Sequence, residues 1–211
     1  MRLIIFGPQG AGKGTQSQRL SEKYNIPAIS TGDIFRWAVS GGTALGNRAK
    51  EYVETGRLVP DDVTIGVVRE RLGAEDAKEG FLLDGFPRNL QQAKALDEIL
   101  AEREITLDGA IFLDVPEEVS LRRLLGRRVC SNCGRNYHVD SPPRDDWRCD
   151  VCGGEVVARN DDNEGAIKER LRLYHEQTEP LREHYEEKGV LKVVNGEGSP
   201  DEVFERIAAQ L

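Results

Sequence analysis

Five short stretches of the chain are almost wholly apolar: residues 3–6 (LIIF), 28–30 (AIS), 81–83 (FLL), 111–113 (IFL) and 191–194 (LKVV). Long stretches with apolar residues at helical spacing separate them. A strand with one wet face alternates apolar and polar residues, whereas a strand covered on both faces need not. The pattern therefore predicts an α/β fold, a parallel sheet with helices on both sides. Ligands of such sheets bind beyond the carboxyl ends of the strands. The glycine-rich and charged segments do follow the apolar runs, at residues 7–15, 31–33, 84–88 and at Asp114. Two stretches break the alternation. Residues 30–59 are helical in pattern but carry Gly41, Gly42, Gly46 and Gly56, which suggests a small mobile excursion. Residues 126–162 lose helical periodicity among four cysteines, Pro142-Pro143 and several glycines, which suggests a loop-rich insert. Beyond it Ile167, Leu171 and Tyr174 resume helical spacing, and Pro180 predicts a kink or a restart. Ser199 and Pro200 open a last helix.

The segment after the first run reads G-P-Q-G-A-G-K-G-T, from Gly7 to Thr15. A strand that ends in such a loop and continues as a helix holds a nucleotide polyphosphate. Glycines let successive backbone N–H groups converge on phosphate oxygens, the helix adds the positive end of its dipole, and Lys13 adds a full charge. The common form of this loop has Ser or Thr after the lysine; here Gly14 stands there and the hydroxyl follows at Thr15. That leaves open whether a side-chain hydroxyl reaches the magnesium.

Charge narrows the partners. The formal net charge of −8 argues against a nucleic-acid or anionic-membrane partner, so phosphate must be held by local arginine clusters. No apolar run is long enough to span a bilayer, and Met1-Arg2-Leu3 leads directly into a strand without a signal-peptide pattern. The chain reads as soluble and cytoplasmic.

Cys130-x-x-Cys133 and Cys149-x-x-Cys152 are separated by fifteen residues, the spacing of a four-thiolate zinc ribbon. Four protein ligands leave no position for water, so the metal is expected to be structural and to replace a core that so short an insert cannot build. Two disulfides or four free thiols are the other readings; a cytosolic setting disfavours the first. Zinc ribbons also bind nucleic acid, but Asp140, Asp145, Asp146 and Asp150 nearby oppose it.

Arg36, Arg57, Arg88, Arg127, Arg159 and Arg170 gather in the segments where a second nucleotide would sit. Asp84-Gly85-Phe86-Pro87-Arg88 stands out because it follows a strand end. Its aspartate can bind Mg²⁺ or the ion's water shell, and its arginine offers a planar fork to phosphate. Arg159-x-Asp161-Asp162 closes the insert. His138, His175 and His184 have neither metal-ligand nor triad spacing and read as surface or packing residues, as do Trp37 and Trp147 as packing groups.

Taken in order, these pieces resemble the adenylate kinase family, in its long bacterial form with a zinc-bearing lid. The resemblance rests on residues 7–16, Ser30-Thr31-Gly32-Asp33, Gly56-Arg57-Leu58-Val59-Pro60, residues 80–88 (GFLLDGFPR) with Gln92, Gly126-Arg127-Arg128, and Arg159-Asn160-Asp161-Asp162 with Arg170. It implies a P-loop nucleoside monophosphate kinase: a five-stranded parallel sheet flanked by helices. The core would be residues 1–29, 60–125 and 163–211, with an AMP-binding subdomain at 30–59 and a zinc lid at 126–162. It implies that Gly10, Ala11, Gly12, Lys13, Gly14 and Thr15 hold ATP together with Arg127, Asn136, Tyr137 and Gly198. AMP would fall to Thr31, Arg36, Arg57, Leu58, Val59, Gly85, Phe86, Pro87, Arg88 and Gln92, with Arg159 and Arg170 bridging AMP and the moving phosphoryl group. Lys13, Asp84, Arg88, Arg127, Arg159 and Arg170 would act in catalysis, Asp84 by orienting the Mg²⁺ shell, and Cys130, Cys133, Cys149 and Cys152 would bind Zn²⁺. Substrates and products would be ATP, AMP and ADP, and a monomer is the family expectation. Gln9, where proline is common, and Asn160, where a basic residue is common, are small departures. Two other readings stay open from the residues alone: a kinase for UMP, CMP or GMP, and a P-loop switch whose ribbon binds a nucleic acid or protein.

Overall fold

Apolar runs covered on both faces become strands here as the pattern requires. The computed structural model describes residues 1–159 and 162–211; Asn160 and Asp161, part of the segment closing the insert, lie outside the described residues. Along the chain β1 (Arg2–Phe6) is followed by α1 (Lys13–Tyr24), and β2 (Ala28–Ser30) by α2 (Thr31–Ser40), α3 (Ala44–Thr55) and α4 (Asp61–Leu72). Next come β3 (Phe81–Asp84), α5 (Leu90–Glu102), β4 (Gly109–Asp114) and α6 (Glu117–Gly126). Three short strands occupy the insert: β5 (Arg127–Cys130), β6 (Asn136–His138) and β7 (Val156–Val157). The chain ends with α7 (Glu164–Leu173), a π-helical turn (Tyr174–Thr178), α8 (Leu181–Glu187), β8 (Leu191–Asn195) and α9 (Pro200–Ala208).

The main sheet has five strands in the order β2-β3-β1-β4-β8, and every neighbouring pair is parallel. Register sorts the side chains. Ile4 lies opposite Leu83 and Ala110, and all three join the larger core cluster with Phe6, Phe81 and Phe112. Ile5 lies opposite Ile111, and both join Leu3, Leu82 and Leu113 on the other face. The period of two in a strand thus feeds two cores from one run of apolar residues. Each such aliphatic side chain contributes about 1.5–3 kcal/mol on burial.

The helix ends follow local chemistry. Ser199 and Glu202 form a reciprocal capping box at α9, with Pro200 in the first turn. Pro180 does restart the helix, at the head of α8. The glycines of residues 30–59 make tight packing and turns: a Cβ at Gly46 would lie 1.9 Å from the Ala38 carbonyl oxygen, and Gly56 ends α3 at φ 77°. This helix pair has its own small core of Phe35, Ala49 and Val59 with Leu45, Tyr52 and Val53 around it. In the insert, β5 lies centrally between antiparallel β6 and β7, over a cluster of Cys130, Cys149 and Val156 with Tyr137 and Trp147. Trp147 packs as expected. Trp37 does not: it is 61% exposed on α2, because the small core of the α2–α3 pair is filled from the opposite side of the helix by Phe35 and Val39. Among the described residues no helix is long and apolar enough to cross a membrane.

Candidate active site

All five strands of the main sheet point their carboxyl ends at one cavity of about 900 Å³. The loop after β1 forms its floor. Gly7, Gly10 and Gly12 have φ of 139°, 81° and 98°, values that L side chains rarely adopt. Space forbids a side chain as well: a Cβ at Gly7 would lie 2.5 Å from the Leu113 carbonyl oxygen, and one at Gly10 2.4 Å from that of Ser120. The loop is therefore pressed against the end of β4 and against α6. No side chain caps the start of α1, which leaves the N–H groups of its first turn to a ligand. Lys13 opens that helix, and its Nζ donates to the carbonyl oxygens of Gly7 and Pro8, both at 2.8 Å.

Opposite the loop, the turn after β3 is pinned through its backbone. Gly85 has φ 77°, and its carbonyl oxygen accepts from Thr31 Oγ1 and from Arg88 Nε, each at 2.8 Å. The Arg88 N–H donates to Gln92 Oε1 at 2.8 Å, and the Arg88 carbonyl accepts from Thr178 Oγ1 at 2.7 Å. Thr178 belongs to the π-helical turn, a kind of irregularity that is frequent at functional sites. Arg36 pairs with Asp33, and Arg57 with Glu51. From the insert, Arg127 makes a two-pronged pair with Asp162, its Nε at 2.7 Å, and Arg170 Nη1 reaches the same carboxylate at 3.2 Å. Asp162 is 6% exposed, so one enclosed carboxylate ties the insert to α7.

Every residue the sequence singled out for ATP, AMP or catalysis lines this cavity except Phe86. Phe86 is 1% exposed and joins the sheet-face cluster with Phe6 and Leu83. Its ring gains more from that apolar contact than from a polar cavity, so only the backbone at this position is left to face a nucleotide. Two further residues support the site. Arg123 on α6 donates to the carbonyl oxygens of Ala11 and Gly196 at 3.3 and 3.0 Å, and to that of Gly198 at 3.4 Å, so it binds the phosphate loop to the loop after β8. Asp61, at the first turn of α4, accepts from Gln92 Nε2 and from Asn89 Nδ2. Neither has a spacing signal, because their partners are remote in sequence.

The electrostatics of the cavity are those of crowded cations. Burial pulls Lys13 down to about 8, with Asp84 opposing the shift and Arg88 and Arg127 adding to it. Burial pulls Arg88 down to about 10, aided by Arg170. Arg127 is lowered by burial and then by Arg159. Asp84 is raised by burial, and Lys13 works against the rise. Such a group of enclosed cations favours a polyanion with several oxygens.

The four cysteines meet at one point: their sulfurs all lie within 4.8 Å of one another. Cys130 and Cys152 are 3.5 Å apart, Cys133 and Cys149 3.6 Å. These distances exclude disulfides, whose S–S length is about 2 Å. They match the edge of about 3.8 Å expected for sulfurs at about 2.3 Å from a tetrahedral ion. The donor set therefore fits a metal ion.

Comparison with known proteins agrees with this geometry. The family model described as adenylate kinase matches residues 5–190. The adenylate kinase of Thermodesulfovibrio yellowstonii is 54% identical over 100% of this chain and 99% of that protein. That of Clostridium novyi is 53% identical over 99% and 97%, and that of Clostridium tetani 52% over the same shares. A phosphate loop, an arginine-walled cavity and this degree of likeness along the whole chain lead to one conclusion: the chain belongs to the adenylate kinase family, the phosphotransferases that convert ATP and AMP into two ADP.

Proposed function

We propose that the residues of this chain divide the adenylate kinase reaction, MgATP + AMP ⇌ 2 ADP, as follows. Residues 10–15 wrap the ATP phosphates, with Arg127, Asn136, Tyr137 and Gly198 as further ATP contacts. Thr31, Arg36, Arg57, Leu58, Val59, Arg88 and Gln92, with the backbone at 85–87, hold AMP. Lys13, Arg88, Arg127, Arg159 and Arg170 surround the phosphoryl group in transit. That group carries its negative charge on equatorial oxygens, so the protein's task is in-line placement and positive charge, and no strong base is required. Asp84 orients the water shell of the magnesium that arrives with ATP. The observation that carries this reading is the shared cavity in which Lys13, Arg88 and Arg127 are all pulled toward deprotonation. A polyanion relieves that condition.

Water is the competing acceptor and must be kept out during transfer. Residues 126–162 act as a lid and residues 30–59 as the AMP-binding subdomain, both closing over the core of 1–29, 60–125 and 163–211. The metal in the lid is Zn²⁺ held by Cys130, Cys133, Cys149 and Cys152. It fixes the knuckles so that the lid moves as one body. The protein works as a monomer in the cytoplasm, as expected of the family, and its charge of −8 offers no attraction to nucleic acid or anionic lipid.

A coupled ADP-production assay with AMP, GMP, CMP and UMP tests the acceptor; faster turnover of any of the other three than of AMP would overturn it. Metal analysis is expected to give one zinc per chain. A chelator is expected to lower the unfolding temperature, and an unmoved transition would remove the structural role of the metal.

A further inference from the structure

We propose that Asp61 is a positioning residue for the base of the acceptor nucleotide, acting through the side-chain amide of Gln92. The inference deepens the reading above, because it rests on Gln92 facing that base. An amide side chain has two orientations of nearly equal shape that exchange oxygen and nitrogen. The orientation of Gln92 is fixed from two sides. Its Oε1 accepts from the Arg88 N–H at 2.8 Å, and its Nε2 donates to Asp61 Oδ1 at 2.7 Å. Turning the amide over would set N–H against N–H at Arg88 and oxygen against oxygen at Asp61. Gln92 is 1% exposed, so water does not soften either conflict. Asp61 is itself held: Asn89 Nδ2 donates to both of its oxygens, at 3.0 and 3.1 Å.

The fixed amide keeps one N–H and one oxygen lone pair in reserve beside the cavity that Gln92 lines. Their order matters. The edge of adenine offers an acceptor at N1 and a donor at the 6-amino group. The edge of hypoxanthine offers a donor at N1 and an acceptor at O6. An amide in one orientation pairs with the first, and only the reversed amide pairs with the second. By blocking reversal, Asp61 makes the site read a 6-aminopurine and reject a 6-oxopurine. A simple helix-start role does not account for the placement. Asp62 also stands in the first turn of α4, whereas Asp61 is turned onto two amides of another segment.

The test compares AMP with IMP, which differ only at this edge, in the wild type, Asp61→Leu, Asp61→Ala and Gln92→Ala. KM and kcat for each acceptor are measured at saturating MgATP, with KM for MgATP and the unfolding temperature recorded for each protein. The expected result is a fall of about tenfold in the AMP-over-IMP ratio of kcat/KM for both Asp61 variants, the size of one misplaced buried hydrogen bond. KM for MgATP should stay within about twofold of wild type, and the loss should fall on KM for the acceptor. Gln92→Ala should lose the same discrimination. If Gln92→Ala changes the ratio but neither Asp61 variant does, Asp61 sets nothing and the proposal fails while the placement of the base stands. If Gln92→Ala leaves the ratio unchanged, the base is not read there, and both fail. If the Asp61 variants raise both KM values together as the unfolding temperature drops, the role is structural only and the proposal is overturned.

Discussion

Replacing Lys13 with Met should make the protein more stable and nearly inactive. Burial holds the Lys13 ammonium at about 8 instead of 10.5. At about 1.4 kcal/mol per unit, keeping that cation in the cavity costs about 3 kcal/mol at neutral pH. Two hydrogen bonds to the carbonyl oxygens of Gly7 and Pro8 are lost with it, and water in the cavity screens part of the penalty. The net gain for Met is about 1–2 kcal/mol, or roughly 2–8 °C in Tm for a chain of this size. The pH dependence has a definite sign. The unfolded lysine binds its proton up to 10.5 and the folded one only up to about 8. Between those values the unfolded state binds more protons, so wild-type stability rises with pH, and the penalty is complete below about 8. Thermal unfolding of both proteins without nucleotide from pH 7 to 10.5 should show the advantage of Met constant below pH 8, shrinking above it and reversed by 10.5, where only the lost hydrogen bonds remain. ADP formation should fall by about a hundredfold or more, because a charge aimed at the transition state is lost. A Met variant that melts below wild type at pH 7, or a difference that stays flat from pH 8 to 10.5, would refute the claim that an enclosed cation is held at a cost for phosphate.

Two further substitutions probe the frame around that lysine. Gly10→Ala puts a Cβ 2.4 Å from the Ser120 carbonyl oxygen at φ 81°; a loss of about 2 kcal/mol or more and a higher KM for MgATP are expected, and an unchanged Tm would mean that loop and α6 are not pressed together. Asp162→Asn leaves Arg127 and Arg170 without their shared enclosed carboxylate. Breaking such a pair costs about 3–5 kcal/mol when buried, so kcat should drop at least about tenfold, and steady-state rates like those of wild type would rule out a role for Asp162 in holding the insert over the cavity.

Much of the site is legible in the sequence because its chemistry is local. The loop from Gly7 to Thr15 works through consecutive backbone groups, and each C-x-x-C knuckle places two sulfurs within one turn. The capping box at Ser199 and the restart at Pro180 also need only a few residues. Three positions show the limit. Phe86 sits inside the D-G-F-P-R motif, and the motif does not say that its ring faces the core. Trp37 carries the bulk of a packing residue yet lies exposed on α2. Nor does the chain alone show that Gly46 permits close contact between α2 and α3.

By itself the sequence determined the five strands, the two interruptions, the phosphate loop and the cysteine knuckles, since each depends on geometry spanning a turn or a strand. Tertiary structure alone decided the partnerships: Arg123 with Ala11, Gly196 and Gly198, Asp162 between Arg127 and Arg170, and Asp61 against Gln92. Hydrogen bonds and ion pairs depend on distances of a few ångströms between groups that lie from 8 to 112 residues apart along the chain. Those distances are set by the strand order β2-β3-β1-β4-β8 and by the packing of helices on it, and no local spacing records them.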